Sequence, residues 1–78
     1  MEPFDMDGFL RFAAEVIGVA GVVPATSYGS IPEWDSVQHL RLVMETEARY
    51  GVSIPLEKVA SLKTIADFAA IAQKGAQP

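Results

Sequence analysis

The first apolar pattern along the chain recurs at spacings of three and four residues, which is typical of one face of an α-helix. Asp5 precedes this run and is suited to cap a helix N-terminus. Gly18 and Gly21 follow it and interrupt the pattern. The sequence therefore predicts an amphipathic first helix whose apolar face consists of Met6, Phe9, Leu10, Ala13, Val16 and Ile17.

A second helix is predicted from Ser36 to Tyr50. Asp35 and Ser36 are residue types favoured at helix starts, and no proline follows until Pro55. Gly51 is suited to end this helix because glycine adopts the left-handed backbone conformation at little cost.

Residues 18–35 connect these two helices and contain too many glycines and prolines for a helix or a central strand. A loop of this length is uncommon in a compact domain unless it packs against the rest of the protein. We therefore expect its apolar members to lie across the core, with Trp34 fixing its end; they are Val22, Val23, Tyr28, Ile31 and Trp34.

The last third of the chain predicts a short helix and a longer one. Residues 56–61 suffice for one or two helical turns, and Thr64 with Asp67 has the spacing of a capping box, with Asp in place of Glu or Gln. Apolar residues then continue at helical spacing to about Lys74, and residues 74–78 are predicted to form a loose tail. No segment alternates as a half-buried strand does. The expected fold is all-α: one domain over residues 1–78, a small four-helix bundle of three main helices and one short helix.

The second predicted helix carries two apolar faces. At about 100° per residue, one side collects Leu42, Val43, Thr46 and Tyr50, with His39 at its margin. The other side collects Val37, Leu40, Met44 and Ala48; we call Val37, Leu40 and Met44 the outer stripe. So small a domain has difficulty burying both sides. On pattern alone, burial of the outer stripe beneath the long loop and docking of a protein partner are equally compatible with the sequence.

Composition limits the chemistry that these 78 residues can perform. The chain has no cysteine and a single histidine, His39, which leaves no thiol nucleophile and predicts no metal site. The formal net charge of −4 argues against binding to a nucleic-acid backbone. Glu15 interrupts the longest apolar run, which falls short of the roughly 20 residues of a membrane span. We expect a cytoplasmic, monomeric protein with protein partners.

The segment Trp34-Asp35-Ser36-Val37 resembles the attachment signature of the acyl carrier protein family, which is Asp-Ser-Leu at the start of a helix. A bare Asp-Ser-hydrophobic triplet occurs often by chance. Here the likeness continues without a gap through residues 35–44, the Ile54-Pro55 step and residues 62–65. It covers roughly the whole chain, most strongly residues 31–72.

This resemblance implies that Ser36 is the attachment point of 4′-phosphopantetheine, transferred from coenzyme A by a separate, magnesium-dependent phosphopantetheinyl transferase. The terminal thiol of the arm would carry an acyl group as a thioester, so the protein would be a carrier and not an enzyme. Trp34, Asp35 and Val37 complete the motif, and the transferase would recognise Asp35. A helix N-terminus also favours a phosphodiester on physical grounds, because its free N–H groups and dipole attract anions.

The family also suggests roles for residues beyond the motif. Val59 and Leu62 correspond to positions that line a cleft for the acyl chain, although both are equally suited to core packing. The docking of acyl-loading and acyl-accepting enzymes would involve Val37, Leu40, Arg41 and Met44.

The predicted second helix departs from one branch of the family. Gln38 and Arg41 stand where carriers of fatty-acid synthesis usually have acids. The Trp-Asp-Ser form resembles stand-alone carriers of specialised pathways. We therefore expect a carrier of a secondary-metabolite, lipid or polysaccharide pathway.

The sequence also leaves room for other functions. An aminoacyl or peptidyl carrier would use the same arm, although the Gly-Gly pair more usual before a peptidyl signature is absent. A helical interaction module would bind through the outer stripe without modification of Ser36. Ser36 and His39 are three residues apart, but a hydrolase dyad is disfavoured because no acid is placed to orient the imidazole.

Overall fold

The computed structural model describes residues 4–76, and within them the chain forms four helices and no strand. The elements are α1 (Met6–Ile17), α2 (Ser36–Tyr50), α3 (Leu56–Val59) and α4 (Ile65–Ala76). The three long helices α1, α2 and α4 pack against one another. The predicted all-α four-helix fold is confirmed, as are the predicted bounds of α2.

Helix α1 begins and ends at the residues that the sequence predicts. Asp5 is its N-cap, and Gly18 ends it with a φ of 91°. The carboxylate of Asp5 makes no capping hydrogen bond; its backbone carbonyl accepts from the N–H of Phe9 at 3.0 Å. Of the predicted apolar face, Met6 is exposed and Leu10 only half-buried, whereas Phe12, which was not assigned to that face, is buried.

The core lies between the three long helices and is closed by residues from the connecting segments. Trp34 is only 1% exposed, which confirms that it fixes the end of the long loop. Val23 and Tyr28 are exposed, so the prediction that every apolar loop residue lies across the core is wrong for these two. The buried apolar cluster consists of Phe9, Phe12, Ala13, Val16, Ile17, Trp34, Leu42, Val43, Ile54, Leu62, Ile65, Phe68, Ala69 and Ala72.

The long loop is attached to the start of α4 by backbone hydrogen bonds. Tyr28 N–H donates to the carbonyl of Lys63 at 2.7 Å, and Ile65 N–H donates to the carbonyl of Thr26 at 3.0 Å. Ser27 and Thr64 form an isolated antiparallel bridge. These contacts hold the loop beside the segment that joins α3 to α4.

The predicted capping box at the start of α4 is confirmed. Thr64 Oγ1 accepts from the N–H of Asp67 at 3.2 Å, and Asp67 Oδ2 accepts in return from the N–H of Thr64 at 3.0 Å. Asp67 Oδ2 also accepts from the N–H of Lys63 at 2.8 Å. The hydrogen bond from Lys63 is the largest cause of a lowered pKa for the Asp67 carboxyl, because such bonds favour its charged form.

The predicted tail needs correction, because α4 continues through Lys74 to Ala76. Gly75 does not break the helix here. A Cβ at Gly75 would collide with the carbonyl oxygen of Tyr50 and with the side chain of Val52, so the glycine permits close approach of α4 to the end of α2. Residues 77–78 of the predicted tail lie outside the described residues. Helix α3 has only four residues and none of them is buried.

Candidate functional site

Ser36 is the first residue of α2, and the residue before it makes the N-terminal cap. Asp35 has an extended backbone, and its Oδ1 accepts from the N–H of Gln38 at 3.0 Å. Its carbonyl accepts from the N–H of His39 at 2.8 Å. Because Asp35 performs the capping, the hydroxyl of Ser36 is not needed for it, and Ser36 is exposed.

The electrostatics at this helix start suit an anion. The first N–H groups of a helix lack intrahelical acceptors, and the dipole of the 15-residue α2 adds partial positive charge there. A phosphodiester on the Ser36 oxygen would therefore lie beside backbone donors and the positive end of the helix. The arrangement has the chemistry to hold a phosphopantetheine arm.

Trp34 and His39 form a buried pair behind this exposed helix start. Trp34 Nε1 donates to His39 Nδ1 at 3.2 Å, and His39 Nε2 lies 3.2 Å from the carbonyl oxygen of Val59. Since an indole N–H only donates and a carbonyl only accepts, these two contacts require the His39 tautomer that has its proton on Nε2. The sequence placed His39 at the margin of the core, whereas it is only 7% exposed.

These hydrogen bonds also bear on the disfavoured Ser36–His39 dyad. A general base needs a ring nitrogen free to accept the serine proton. Nδ1 of His39 already accepts from Trp34, and Nε2 is the donor to Val59. The arrangement therefore gives His39 no part in activating Ser36.

The outer stripe is exposed along its whole length. Val37 is 69%, Leu40 51% and Met44 67% exposed, and Arg41 beside them is exposed as well. The alternative that the long loop covers this stripe is therefore wrong. On the opposite side of α2, Leu42 is fully buried.

The two residues predicted to line an acyl cleft occupy different environments. Leu62 lines a cavity of about 360 Å³ between the long loop, α2 and the α3–α4 connection. Val59 is half-buried against the core, and its carbonyl holds His39. The other cavity residues were not predicted, because residues far apart in sequence meet there only through the loop-to-α4 hydrogen bonds: Ser27, Tyr28, His39, Ala60 and Lys63.

Leu56 is a further exposed residue that the sequence pattern did not single out. It is 81% exposed at the first position of α3. Leu56 could have been identified from its position directly after Pro55, in a helix too short to have a buried face.

The part of the chain that the structure describes lacks two further classes of feature. No group of three or more histidine, aspartate or glutamate side chains there could hold a metal ion. No helix within residues 4–76 is long and apolar enough to cross a membrane.

Comparison with known proteins shows a consistent set of relatives, although no family model matches the chain. The meromycolate extension acyl carrier protein of Mycolicibacterium aurum is 35% identical over 69 residues, which cover 86% of this chain and 71% of that protein. The protein of the same name from Mycobacterium tuberculosis H37Rv is 33% identical over 69 residues, covering 86% of this chain and 60% of its own length.

A shorter match and a solved structure agree with these relatives. An acyl carrier protein of Rhodococcus erythropolis is 40% identical over 40 residues, or 51% of this chain and 44% of that protein. The solution structure of a holo acyl carrier protein from Geobacter metallireducens superimposes with a TM-score of 0.76 at 25% identity, covering 90% of this chain and 83% of that one.

Proposed function

The chain belongs to the acyl carrier protein family, and we propose that Ser36 carries its 4′-phosphopantetheine arm. Members of this family are carriers and not enzymes, and the prosthetic group supplies the thiol that holds the acyl thioester. This chain has no cysteine, so the arm would be its only thiol.

One observation carries the choice of Ser36: it is an exposed hydroxyl at the N-terminus of α2 whose capping is done by the preceding residue. Asp35 holds the backbone of this turn in place, so a transferase meets a preformed helix start. The backbone donors there would stabilise the phosphodiester once it has formed. Trp34, buried behind the motif, fixes where the loop ends and α2 begins.

Partner enzymes would dock on the outer stripe. Val37, Leu40 and Met44 present apolar surface next to Ser36, and surface of this kind in a small monomer commonly marks a protein interface. Arg41 lies at the edge of this surface, where we expect it to favour partners that carry an acid opposite it. The partners would be a phosphopantetheinyl transferase and the enzymes that load and accept the acyl group.

The names of the relatives support one class of biosynthetic pathway for the acyl group that this carrier would hold. Six relatives are named meromycolate extension acyl carrier proteins, which favours a lipid pathway for this chain over the secondary-metabolite and polysaccharide pathways that the sequence also left open. Gln38 and Arg41 on α2 support a dedicated carrier over the general carrier of fatty-acid synthesis. An aminoacyl cargo is the second candidate.

The test is intact-mass measurement after incubation with coenzyme A, Mg²⁺ and a broad-specificity phosphopantetheinyl transferase. We expect the wild type to gain one phosphopantetheine and Ser36→Ala to gain none. Ser53→Ala, which removes another exposed serine hydroxyl, is the matched control and should be modified like the wild type. An unmodified wild type beside a modified control carrier would contradict the proposal and favour the unmodified interaction module.

A further inference from the structure

The cavity behind the loop has a histidine as part of its inner wall. It is lined by Ser27, Tyr28, His39, Ala60, Leu62 and Lys63 and has a volume of about 360 Å³. Tyr28, Ala60 and Lys63 form its exposed wall, whereas His39 and Leu62 are buried. His39 lies less than one helical turn after Ser36, so the cavity lies near the point where the proposed arm begins.

The ring of His39 is held from several sides. Both of its nitrogens are hydrogen-bonded, one to Trp34 and the other to the carbonyl of Val59. The Tyr28 ring lies against it, tilted by 34°, with centroids 4.4 Å apart, and the Phe68 ring meets it edge-on at 5.5 Å. Rotation of His39 away from the cavity would therefore break contacts with the loop, α3 and α4 together.

The space behind His39 is filled. Trp34 and Phe68 are in contact with its ring and are buried in the core. An acyl chain that displaced His39 would leave the indole N–H of Trp34 and the carbonyl of Val59 without partners in an apolar surrounding. Buried donors and acceptors without partners are unfavourable, and an acyl chain offers no replacement hydrogen bond.

We propose that this cavity receives only the portion of the cargo next to the thioester, and that His39 is the specificity-determining residue that stops an acyl chain from entering further. The proposal rests on the arm at Ser36. The remainder of a long chain then stays outside the bundle. The bundle would therefore shield a short acyl group and the first carbons of a long one from solvent to the same extent.

The test loads the full chain with acyl groups of increasing length. A broad-specificity transferase is given acetyl-, butyryl-, octanoyl-, dodecanoyl- or hexadecanoyl-coenzyme A, and intact mass confirms loading on Ser36. Amide shifts of Ala60 and Leu62 then report on the cavity, and those of Phe68 report on the core. The indole N–H signal of Trp34, the only tryptophan in the chain, reports on the hydrogen bond to His39.

In the wild type we expect the cavity shifts to grow with the shortest acyl groups and then to stop changing, while the Trp34 and Phe68 signals stay constant across the series. In His39→Ala, the shifts should continue to grow with chain length and should reach Phe68. Gln38→Ala, on the same turn of α2 but outside the cavity, is the control and should behave like the wild type.

Two results would overturn this inference. One is a wild type in which the Trp34 and Phe68 signals move progressively up to the hexadecanoyl chain; the other is a series in which no acyl group moves the cavity signals. The wild-type series decides how far the chain enters even if His39→Ala fails to fold, and a folded His39→Ala variant that behaves like the wild type would remove His39 as the stop. Trp34→Phe provides a second variant, because it keeps an aromatic ring and removes the donor to His39 together with part of the indole, and we expect the Phe68 shifts to grow further with chain length than in the wild type. Absence of loading on Ser36 would instead count against the proposed function.

Discussion

The two apolar faces of α2 have similar side chains and opposite environments. The inner face places Leu42, Val43 and Thr46 in the core, against α1 and α4. The outer stripe leaves Val37, Leu40 and Met44 more than half exposed. The 15 residues of one helix therefore include both a structural surface and an uncovered apolar surface.

The comparison shows that apolar character alone does not decide burial in this protein. A domain of this size buries only about 60% of the surface of its unfolded chain, so every apolar residue left outside reduces a core that is already small. Retaining such residues beside Ser36 gives no benefit to folding. We infer that the outer stripe serves contacts with other proteins, and the inner face serves stability.

The sharpest test makes the same substitution on both faces. Leu42→Ala should lower the free energy of unfolding by about 2–5 kcal/mol, because it opens a cavity in the core. Leu40→Ala should change it by no more than about 0.5 kcal/mol, because this side chain is half exposed. Urea unfolding followed by circular dichroism measures both. Equal losses for the two variants would show that the outer stripe is part of the core.

A second experiment tests the outer stripe for function. Met44→Glu places a charge on the outer stripe, and we expect binding to a cognate enzyme to weaken about tenfold or more, as at interface hot spots. The helical circular dichroism signal and the urea midpoint should stay near those of the wild type. The measurement is the KM for partner-dependent acyl transfer. Unchanged transfer kinetics would remove Met44 from the interface.

Much of this fold could be predicted because its boundaries are set by local chemistry. Asp35 and Gly51 bound α2, and Thr64 with Asp67 starts α4, through hydrogen bonds and backbone conformations within a few residues. The choice of Ser36 as the candidate site rests on the resemblance of residues 34–37 to the attachment signature, and only its exposure follows from its place at a helix start.

The inner face was expected to be core and is buried, but whether the outer stripe is also covered could not be predicted, because a helical pattern gives angles around one helix and not the directions from which its neighbours approach. The same limit applies to His39, whose burial depends on Trp34, Val59 and Tyr28 meeting around it. The end of α4 has the same origin: the sequence predicted a loose tail from about Lys74, whereas the helix continues to Ala76 and packs closely against Tyr50 at Gly75.

A third prediction concerns a polar atom on the inner face. The hydroxyl of Thr46 is buried and has no hydrogen-bond partner among residues 4–76. Thr46→Val keeps nearly the same shape and removes that atom, so we expect the free energy of unfolding to rise by about 1 kcal/mol. The change is measured by urea unfolding. A loss of stability would indicate that the hydroxyl is hydrogen-bonded in solution.

A fourth prediction concerns the charge at the edge of the outer stripe. Arg41 stands where acidic carriers have an acid, so Arg41→Glu should improve acyl transfer by enzymes of fatty-acid synthesis a few-fold, with a larger gain at low salt. Stability should stay unchanged because the residue is exposed. The measurement is kcat/KM at two ionic strengths. Gln38→Ala, which adds no charge, is the control and should give no such salt dependence.

The smallest expected effect tests the support that α4 gives to the inner face. The folded-state pKa of Asp67 is lowered, so its charged form stabilises the fold above the unfolded-state pKa of about 4, and this contribution is lost as the pH falls through the folded-state value. Asp67→Asn should therefore be less stable than the wild type at neutral pH, and the difference should shrink on acidification. Urea unfolding across this pH range measures this difference in stability.

Exposure of the outer stripe does not depend on α4, so binding of the Asp67→Asn variant to a cognate enzyme at neutral pH should stay as in the wild type while the fold persists. A difference in stability that stays constant with pH would assign the effect to lost hydrogen bonds and not to the charge of Asp67.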